Sequence, residues 1–419
     1  MRINILGGAN EVGRSAIGLD SDDSKILLDY GVLISGKEPR FPLTISPKHL
    51  DAIILTHSHL DHSGGIPLLY MTTKPRLLTT QLTLEISELL IKDFIRISSY
   101  YLPYELLELK SMLQHAKPVE INDVFKLKDL NITILSAGHI PGSIMALIEC
   151  QNKRILYTGD FNTRDTQILN GAKINFPKLD AIIMEGTYAT VDHEDRLKIE
   201  NDFIVSVENV VNNGGIVLVP AFSVGRSQEI LCVLYKYKIN APVYIDGMAK
   251  DASEIMLKHP RYFRDYKLLI DAHKNAIWID TWSKRRKACR NPGIIVTPAG
   301  MLKGGNARFY MKKLAKEEKN AVFLVSYQIT GTPGALLLEK GIYNFGNGME
   351  KVKAKVEWYN FSSHCGNREL LETIKTNQIK KVILVHGEKE KLENFQKMIQ
   401  EEKIAEDVIV PKAGEEILI

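Results

Sequence analysis

The hexapeptide His57-Ser58-His59-Leu60-Asp61-His62 constrains this chain more than any other stretch of it. Three imidazoles and a carboxylate fall within six positions, directly after the apolar run Ala52-Ile53-Ile54-Leu55. That run reads as a buried strand, and Gly64-Gly65 with Pro67 mark the turn that follows it. Side chains that fan out from a strand end can converge on a point, which is what a metal ion needs. Imidazole suits zinc and similar transition metals, and a carboxylate can share or bridge a second ion. A merely solvated loop would have no use for this spacing, and the whole chain holds only 11 histidines in 419 residues.

The pattern His57-x-His59-x-Asp61-His62 resembles the signature of the metallo-β-lactamase superfamily, whose members hold two metals between two sheets. The rest of the chain must then supply further ligands. The strand-like Asn131–Ser136 leads into Ala137-Gly138-His139, and Lys153–Thr158 into Gly159-Asp160. Each site residue terminates a strand, so His139 and Asp160 are expected as ligands. Asp29 closes the apolar run Lys25–Leu28 ahead of Gly31. It reads either as an ordinary turn residue or as an acid that hydrogen-bonds a ligating His and fixes its tautomer.

Length allows two domains with substantial cores, and 45% apolar with 25% charged residues is ordinary for a globular protein. No run of about 18 uncharged apolar residues occurs, so no membrane span is expected. The N-terminus, Met1 to Gly8, is too short and too early in Gly for a signal segment, and a cytoplasmic location is expected. The four cysteines, Cys150, Cys232, Cys289 and Cys365, form no C-x-x-C pair, which argues against a disulfide framework or a zinc knuckle. Cys365 neighbours His364 and reads as a small buried filler.

The net charge of +4 conceals an asymmetry. Residues 235–319 hold 19 Lys or Arg against 8 Asp or Glu, while the remainder is net acidic. A basic segment beside an acidic, metal-holding remainder fits a polyanionic substrate; a Lys-rich solvated surface is the plainer alternative.

Helical spacing covers Leu82–Arg96 and Pro103–His115, and the strand Leu179–Met184 delivers Glu185-Gly186-Thr187. From about residue 189 the character changes. A helix over Asp195–Asn212 precedes the buried strand Gly214–Val219, which opens into Pro220–Ser227 and a new helix. The same strand, Gly-rich loop and helix recur at Ile294–Pro298 with Gly300–Gly305, and again at Val322–Ser326. Such repetition implies a parallel sheet with loops at the strands' C-terminal ends, where helix N-termini favour phosphate. Ser223, Arg226 and Lys303 stand in these loops as candidate nucleic-acid contacts, and Lys284-Arg285-Arg286-Lys287 adds charge. Trp278, Trp282, Phe309 and Tyr310 could stack bases, although most aromatics at such spacing belong to the core. The loop Gly7–Ser15 has neither P-loop nor Rossmann spacing; its amides and Arg14 could receive a phosphate. After about residue 350 the style of the first part returns, with Phe361-Ser362-Ser363-His364, the strand Lys380–Val385, His386-Gly387 and a final helix Glu390–Ile404. The expected organisation is residues 1–188 and 351–419 as one αββα sandwich, interrupted by an α/β insertion at 189–350 on a mainly parallel sheet.

These additions are similar to the β-CASP nucleases, the branch that includes the cleavage and polyadenylation specificity factor nuclease and RNase J. The closest likeness is to archaeal relatives of the polyadenylation factor, in a short form without an N-terminal KH extension. The resemblance implies that His57, His59 and His139 hold one metal, that Asp61, His62 and His386 hold the other, and that Asp160 bridges. It implies Asp29 as a supporting acid, and Glu185, His364 and His386 as the three further family motifs. It also implies two Zn2+ ions, with Mn2+ as the alternative, single-stranded RNA as partner with DNA as the alternative, and a homodimer. Relatives often follow the second-motif His with a small residue and an acid; Cys365-Gly366 departs from this, so the surroundings of His364 are where this chain should differ.

The chemistry is sensible by itself. Two metals would lower the pKa of a water toward neutrality and clamp the scissile phosphate. Asp61 could orient the attacking water. His364 is the candidate to protonate the leaving oxygen, with Glu185 holding it charged and aimed. The reading is a zinc-dependent ribonuclease, endonuclease, 5′–3′ exonuclease or both, in RNA 3′-end processing, maturation or decay. Its alternatives are a catalytically silent RNA-binding subunit, which loss of ligands would mark, and a small-molecule metallo-hydrolase, which would have no use for a basic insertion.

Overall fold

The computed structural model describes residues 1–34, 38–98 and 101–419. It divides into two compact units, one of Met1–Asp165, Asn170–Asp192 and Ser363–Ile419, the other of Thr166–Leu169 and His193–Ser362.

The first unit is an αββα sandwich. Among the described residues it holds two seven-stranded sheets. In one, the strands Arg2–Gly7, Ala16–Asp20 and Lys25–Leu28 run antiparallel, then Ala52–Ile54, Arg76–Thr79 and Ala116–Pro118 continue in parallel. Glu416–Leu418 closes its edge against Arg2–Asn4. In the other, the hairpins of Val124–Leu127, Leu130–Ser136, Ile144–Cys150 and Lys153–Tyr157 lead to the parallel strands Ala181–Glu185, Lys381–Val385 and Asp407–Ile409. Isoleucines from both sheets, including Ile5, Ile17, Ile132, Ile148 and Ile383, fill the layer between them. Burial on both faces explains why Ala52–Ile54, Ile144–Cys150, Ala181–Glu185 and Lys381–Val385 read as apolar runs, while Arg2–Gly7, Val124–Leu127 and Leu130–Ser136 alternate, with every second side chain turned inward.

Each outer face is covered by helices. Gln81–Ile97 and Leu106–Gln114 pack Ile91, Phe94 and Leu109 on the first sheet. Thr80 caps the longer helix by accepting from the Thr83 amide. Asn367–Thr376 and Lys389–Glu401 bury Leu370, Ile374, Leu392 and Phe395 against the second.

The second unit is built on a sheet of six parallel strands among the described residues, ordered Ile277–Ile279, Val243–Asp246, Gly293–Thr297, Ile216–Pro220, Ala321–Leu324 and Lys355–Trp358. Helices Arg196–Asn212, Arg226–Lys236 and Tyr266–Asn275 cover one face, and Gly305–Leu314 with Pro333–Lys340 the other. The expected return to the first domain at residue 351 comes too early: the strand Lys355–Trp358 pairs with Ala321–Leu324, and the second unit, with its short pair Ile342–Asn344 and Met349–Lys351, runs to Ser362. Three loops gather at the C-terminal ends of these strands: Gly300 packs against Phe222 and Ser326, and Gln328 donates to the carbonyls of Gly300 and Ser326. Among the described residues no helix is long and apolar enough to cross a membrane.

Candidate metal centre

Strand ends of the first unit deliver the cluster. His57 follows Ala52–Ile54, His139 follows Leu130–Ser136, Asp160 follows Lys153–Tyr157, Glu185 ends Ala181–Glu185, and His386 follows Lys381–Val385. His59 precedes a single helical turn, Leu60–Ser63, that carries Asp61 and His62. Gly31 makes room for this turn, since a Cβ there would lie 1.8 Å from the Asp61 carbonyl oxygen. The amides of Ser15 and Tyr30 bond the carbonyls of Asp61 and His62 at 2.8 and 2.9 Å.

His57 Nε2 and His139 Nε2 each lie 3.2 Å from His59 Nδ1. Asp160 Oδ2 is 3.5 Å from His57 Nε2 and 3.7 Å from His139 Nε2. Beside them, His62 Nε2 is 3.1 Å from His386 Nδ1, and Asp160 Oδ1 lies 3.3 and 3.4 Å from these two nitrogens without making a hydrogen bond. Asp160 thus faces both groups, one oxygen toward each. Asp61, less buried, lies 3.6 Å from His386 Nε2 and shares a third group with His57 and His62.

The tautomers show what these nitrogens can do. A carboxylate only accepts, so His62 donates from Nδ1 to Asp29 Oδ2 at 2.7 Å. His139 donates from Nδ1 to the Ser363 carbonyl at 2.8 Å. Thr56 gives its hydroxyl hydrogen to Asp29, so its oxygen accepts from His57 Nδ1 at 3.1 Å. Each pairing points Nε2 inward, where the neutral ring offers its lone pair. Inward lone pairs at such separations repel unless a cation stands among them, so the donor set fits divalent metal.

Electrostatics agree with that fit. Burial, with His62 and the other imidazoles, holds His57 well below the ordinary histidine range; burial and His364 do the same for His139. Burial brings His59 down to about 4. Burial would also lower His62, but Asp160 and Asp29 outweigh it and hold that imidazole above its usual range. Burial would raise Asp160, yet His386 and His62 keep it ionised.

Glu185 and His364 form a neighbouring pair. His364 Nδ1 lies 2.8 Å from both Glu185 oxygens, and its ring centroid is 4.5 Å from that of His139. Glu185 also accepts from the Phe161 amide at 2.9 Å. Cys365, the position that departs from the family pattern, is 1% exposed and lies in the core with Leu370 and Leu392, its thiol 3.8 Å from Thr163 Oγ1.

Several contributors escaped the sequence reading. Ser15 Oγ lies 2.8 Å from His386 Nδ1. Tyr157 donates to Asp29 at 2.8 Å, and burial with that carboxylate keeps its phenol protonated. Thr56 and Ser363 orient imidazoles as described. Thr56, Tyr157 and Ser363 stand within three residues of a histidine or aspartate of the cluster, which is the one signal that would have drawn attention to them. Arg14, offered as a phosphate contact, is engaged by Glu11 and the Phe41 carbonyl.

The candidate nucleic-acid contacts lie in the second unit. Ser223 is half-buried, and its carbonyl accepts from Gln228 at 3.0 Å. Arg226 opens its helix at only 8% exposure, and Lys303 stands exposed in the loop before Gly305–Leu314.

Comparison with known proteins finds three matches in chain order, with boundaries that differ from those of the compact units. Residues 11–201 match the metallo-beta-lactamase superfamily, 227–337 the Beta-Casp domain, and 349–411 the Zn-dependent metallo-hydrolase RNA specificity domain. RNase aCSPSF2 of Saccharolobus solfataricus is 40% identical over 99% of this chain and 85% of that protein. The chain belongs to the β-CASP nuclease family. Another β-CASP relative, Probable RNase MJ4 of Methanocaldococcus jannaschii, is 39% identical over the full length of both. Transcription termination factor FttA of the same organism is 32% identical over 94% of this chain and 68% of its own length. The crystal structure of a protein of unknown function from Enterococcus faecalis shares the fold with a TM-score of 0.60, covering 100% of this chain and 99% of that one at 15% identity.

Proposed function

We propose that this β-CASP protein is a zinc-dependent ribonuclease that hydrolyses phosphodiester bonds of single-stranded RNA, internally, from a 5′ end, or both. The observation that carries the reading is Asp160, buried between two imidazole groups with one oxygen toward each. His57, His59 and His139 would hold one ion, His62, His386 and Asp61 a second, with Asp160 between them. Such ions supply Lewis acidity, which lowers the pKa of water and neutralises charge on the phosphate under attack.

The chain's own side chains do the rest. Asp61 orients the attacking water from the exposed rim of the cluster. Asp29, with Thr56 and Tyr157, keeps His57 and His62 in the tautomers that face inward. The attacking water gives up a proton to solvent, and its oxygen bonds to phosphorus as the bond to the 3′-oxygen breaks; His364, its Nδ1 bound to Glu185, gives a proton from Nε2 to that departing oxygen. The products are a 3′-hydroxyl and a 5′-phosphate, and no 2′-hydroxyl takes part. The names of the relatives, RNases and a transcription termination factor, favour work at RNA 3′ ends, in maturation or in decay.

The test is cleavage of a 5′-labelled single-stranded RNA with and without chelator, beside His59→Ala, using 5′-triphosphate and 5′-monophosphate forms. Products lost in both the chelated and variant samples support the metal nuclease, and dependence on the 5′ group separates end-directed from internal cutting. RNA retained intact on the metal-loaded wild type would leave only an RNA-binding role.

A further inference from the structure

Between Thr281 and Lys316 the chain carries ten Lys or Arg and not one Asp or Glu. In the second unit this stretch supplies helix Trp282–Ala288, the strand Gly293–Thr297 and helix Gly305–Leu314. The two helices meet at Asp246, a buried carboxylate ending the strand Val243–Asp246. Arg285 donates to it from Nε at 2.6 Å and Nη2 at 2.8 Å, Asn306 at 3.0 Å, and the Tyr310 hydroxyl at 2.7 Å. Four donors on one carboxylate leave Arg285 little freedom.

That guanidinium then lies over Trp282, with Cζ 4.5 Å from the ring centroid, and Phe309 meets the indole edge-on at 5.5 Å. The indole is held on two sides, yet 60% of the residue is exposed. Tryptophan is usually well covered, so a fixed and open one marks a surface prepared for contact. The other aromatics of this region are committed inward: Tyr310 is fully buried, and Trp278 donates its indole N–H to the His273 carbonyl at 3.0 Å. Around Trp282 the cations stand clear. Arg286, one helical turn on, and Lys287, Arg290, Arg308, Lys312 and Lys313 are exposed, and among the described residues none forms an ion pair.

We propose that this face binds single-stranded RNA, with a base stacked on the open side of Trp282, Arg285 behind the indole, and phosphates taken by Arg286, Lys287 and Lys313. The choice of ligand rests on the ribonuclease reading. The physical pairing is one of unlike parts: cations answer a phosphate backbone and a backed π-face answers an unpaired base. An acidic protein segment would use the first and leave the second idle, and a duplex hides its bases.

The experiment is polarisation of a labelled single-stranded RNA of roughly 20 nucleotides, with chelator present to prevent cleavage, over a range of salt. Trp282→Ala is expected to weaken binding roughly 5- to 150-fold, the range for one stacked base, with the salt slope unchanged and most affinity recovered in Trp282→Phe. Arg286→Gln with Lys287→Gln is expected to reduce the slope of log affinity against log salt by about 1.4, two phosphates at about 0.7 each. Hydrolysis of bis(p-nitrophenyl) phosphate, a diester with neither bases nor a chain of phosphates, should be unchanged in every variant. Wild-type RNA affinity in Trp282→Ala overturns the proposal, as does an unaltered salt slope in the Arg286/Lys287 pair, which carries the test if the tryptophan variant melts early. Trp282-dependent binding by a wild type that cleaves neither RNA nor the small diester would keep this surface and remove the nuclease reading, so the two fail separately.

Discussion

Nδ1 of His364 sits 2.8 Å from both carboxylate oxygens of Glu185, 1% exposed, beside the imidazole of His139. A buried carboxylate against Nδ1 stabilises the charged ring and fixes its direction, which is the arrangement a proton donor needs. His364→Ala should lower kcat on RNA by about 10²- to 10⁴-fold. Metal content should stay at the wild-type level. A diester whose leaving oxygen departs without needing a proton, such as bis(p-nitrophenyl) phosphate, should lose far less rate in His364→Ala than RNA does. Glu185→Gln, which weakens the carboxylate that aims the ring, should slow RNA cleavage with the same selectivity. Single-turnover rates on both substrates read the difference. An equal loss on both would assign the acid elsewhere.

Asp29 receives four hydrogen bonds while wholly buried: from the Thr56 amide at 2.7 Å, the Thr56 hydroxyl at 2.8 Å, His62 at 2.7 Å and Tyr157 at 2.8 Å. Asp29→Ala strands all of these donors, which should cost about 3–5 kcal/mol of stability, as for breaking a buried charged pair. The histidines would lose their fixed tautomers, so metal affinity should drop by about 10- to 100-fold. Asp29→Asn keeps the shape but places an amide where three donors converge, and it should fall between the two. Melting with and without added zinc measures both effects; an Asp29→Ala protein that binds zinc as tightly as wild type would deny Asp29 its orienting role.

His62 differs from the other imidazoles in that Asp160 and Asp29 overcome burial and hold its pKa up. In the metal-free protein a raised pKa contributes stability that is full below the unfolded value and is lost as pH rises through the folded one. A metal needs the neutral ring, so loading must displace this proton, and affinity should increase with pH across the neutral range. His57, His59 and His139 are held low and should release none near pH 7. Calorimetric titration of the stripped protein in two buffers of unlike protonation enthalpy should give heats differing by about one proton per molecule. Equal heats in both buffers contradict the expectation.

The nearness of His57, His59, His139 and Asp160 was legible because each stands just after a strand, and the ends of neighbouring strands in packed sheets lie together. The helices at 81–97 and 389–401 were legible from apolar spacing. What the sequence did not disclose depends on contacts between distant segments. Ser15 and His386 are 371 positions apart, and nothing local tells that serine from any other. Lys355–Trp358 could have served either unit, and only its parallel register with Ala321–Leu324 decides. Tyr310 and Trp282 looked alike as aromatics near a basic run. A buried aspartate from another strand claims one and leaves the other open.

Gly31 offers the sharpest test of how the cluster is assembled. It lies two residues after Asp29, and a methyl group there would fall 1.8 Å from the Asp61 carbonyl oxygen and 2.6 Å from the His62 amide nitrogen. Those atoms are backbone and cannot rotate away, so Gly31→Ala must push out the turn that carries Asp61 and His62. The amide bonds from Ser15 and Tyr30 that hold this turn would lengthen together. A destabilisation of about 2–4 kcal/mol is expected, at the high end for overpacking because main chain must move. His57 and His139 do not ride on that turn, and His59 meets it only as its first cap, so their ion should be the one retained while the other is lost. Metal analysis of the folded variant should then find about half the wild-type content, with cleavage abolished. Full metal content with wild-type cleavage would mean that the turn can shift without disturbing the chemistry.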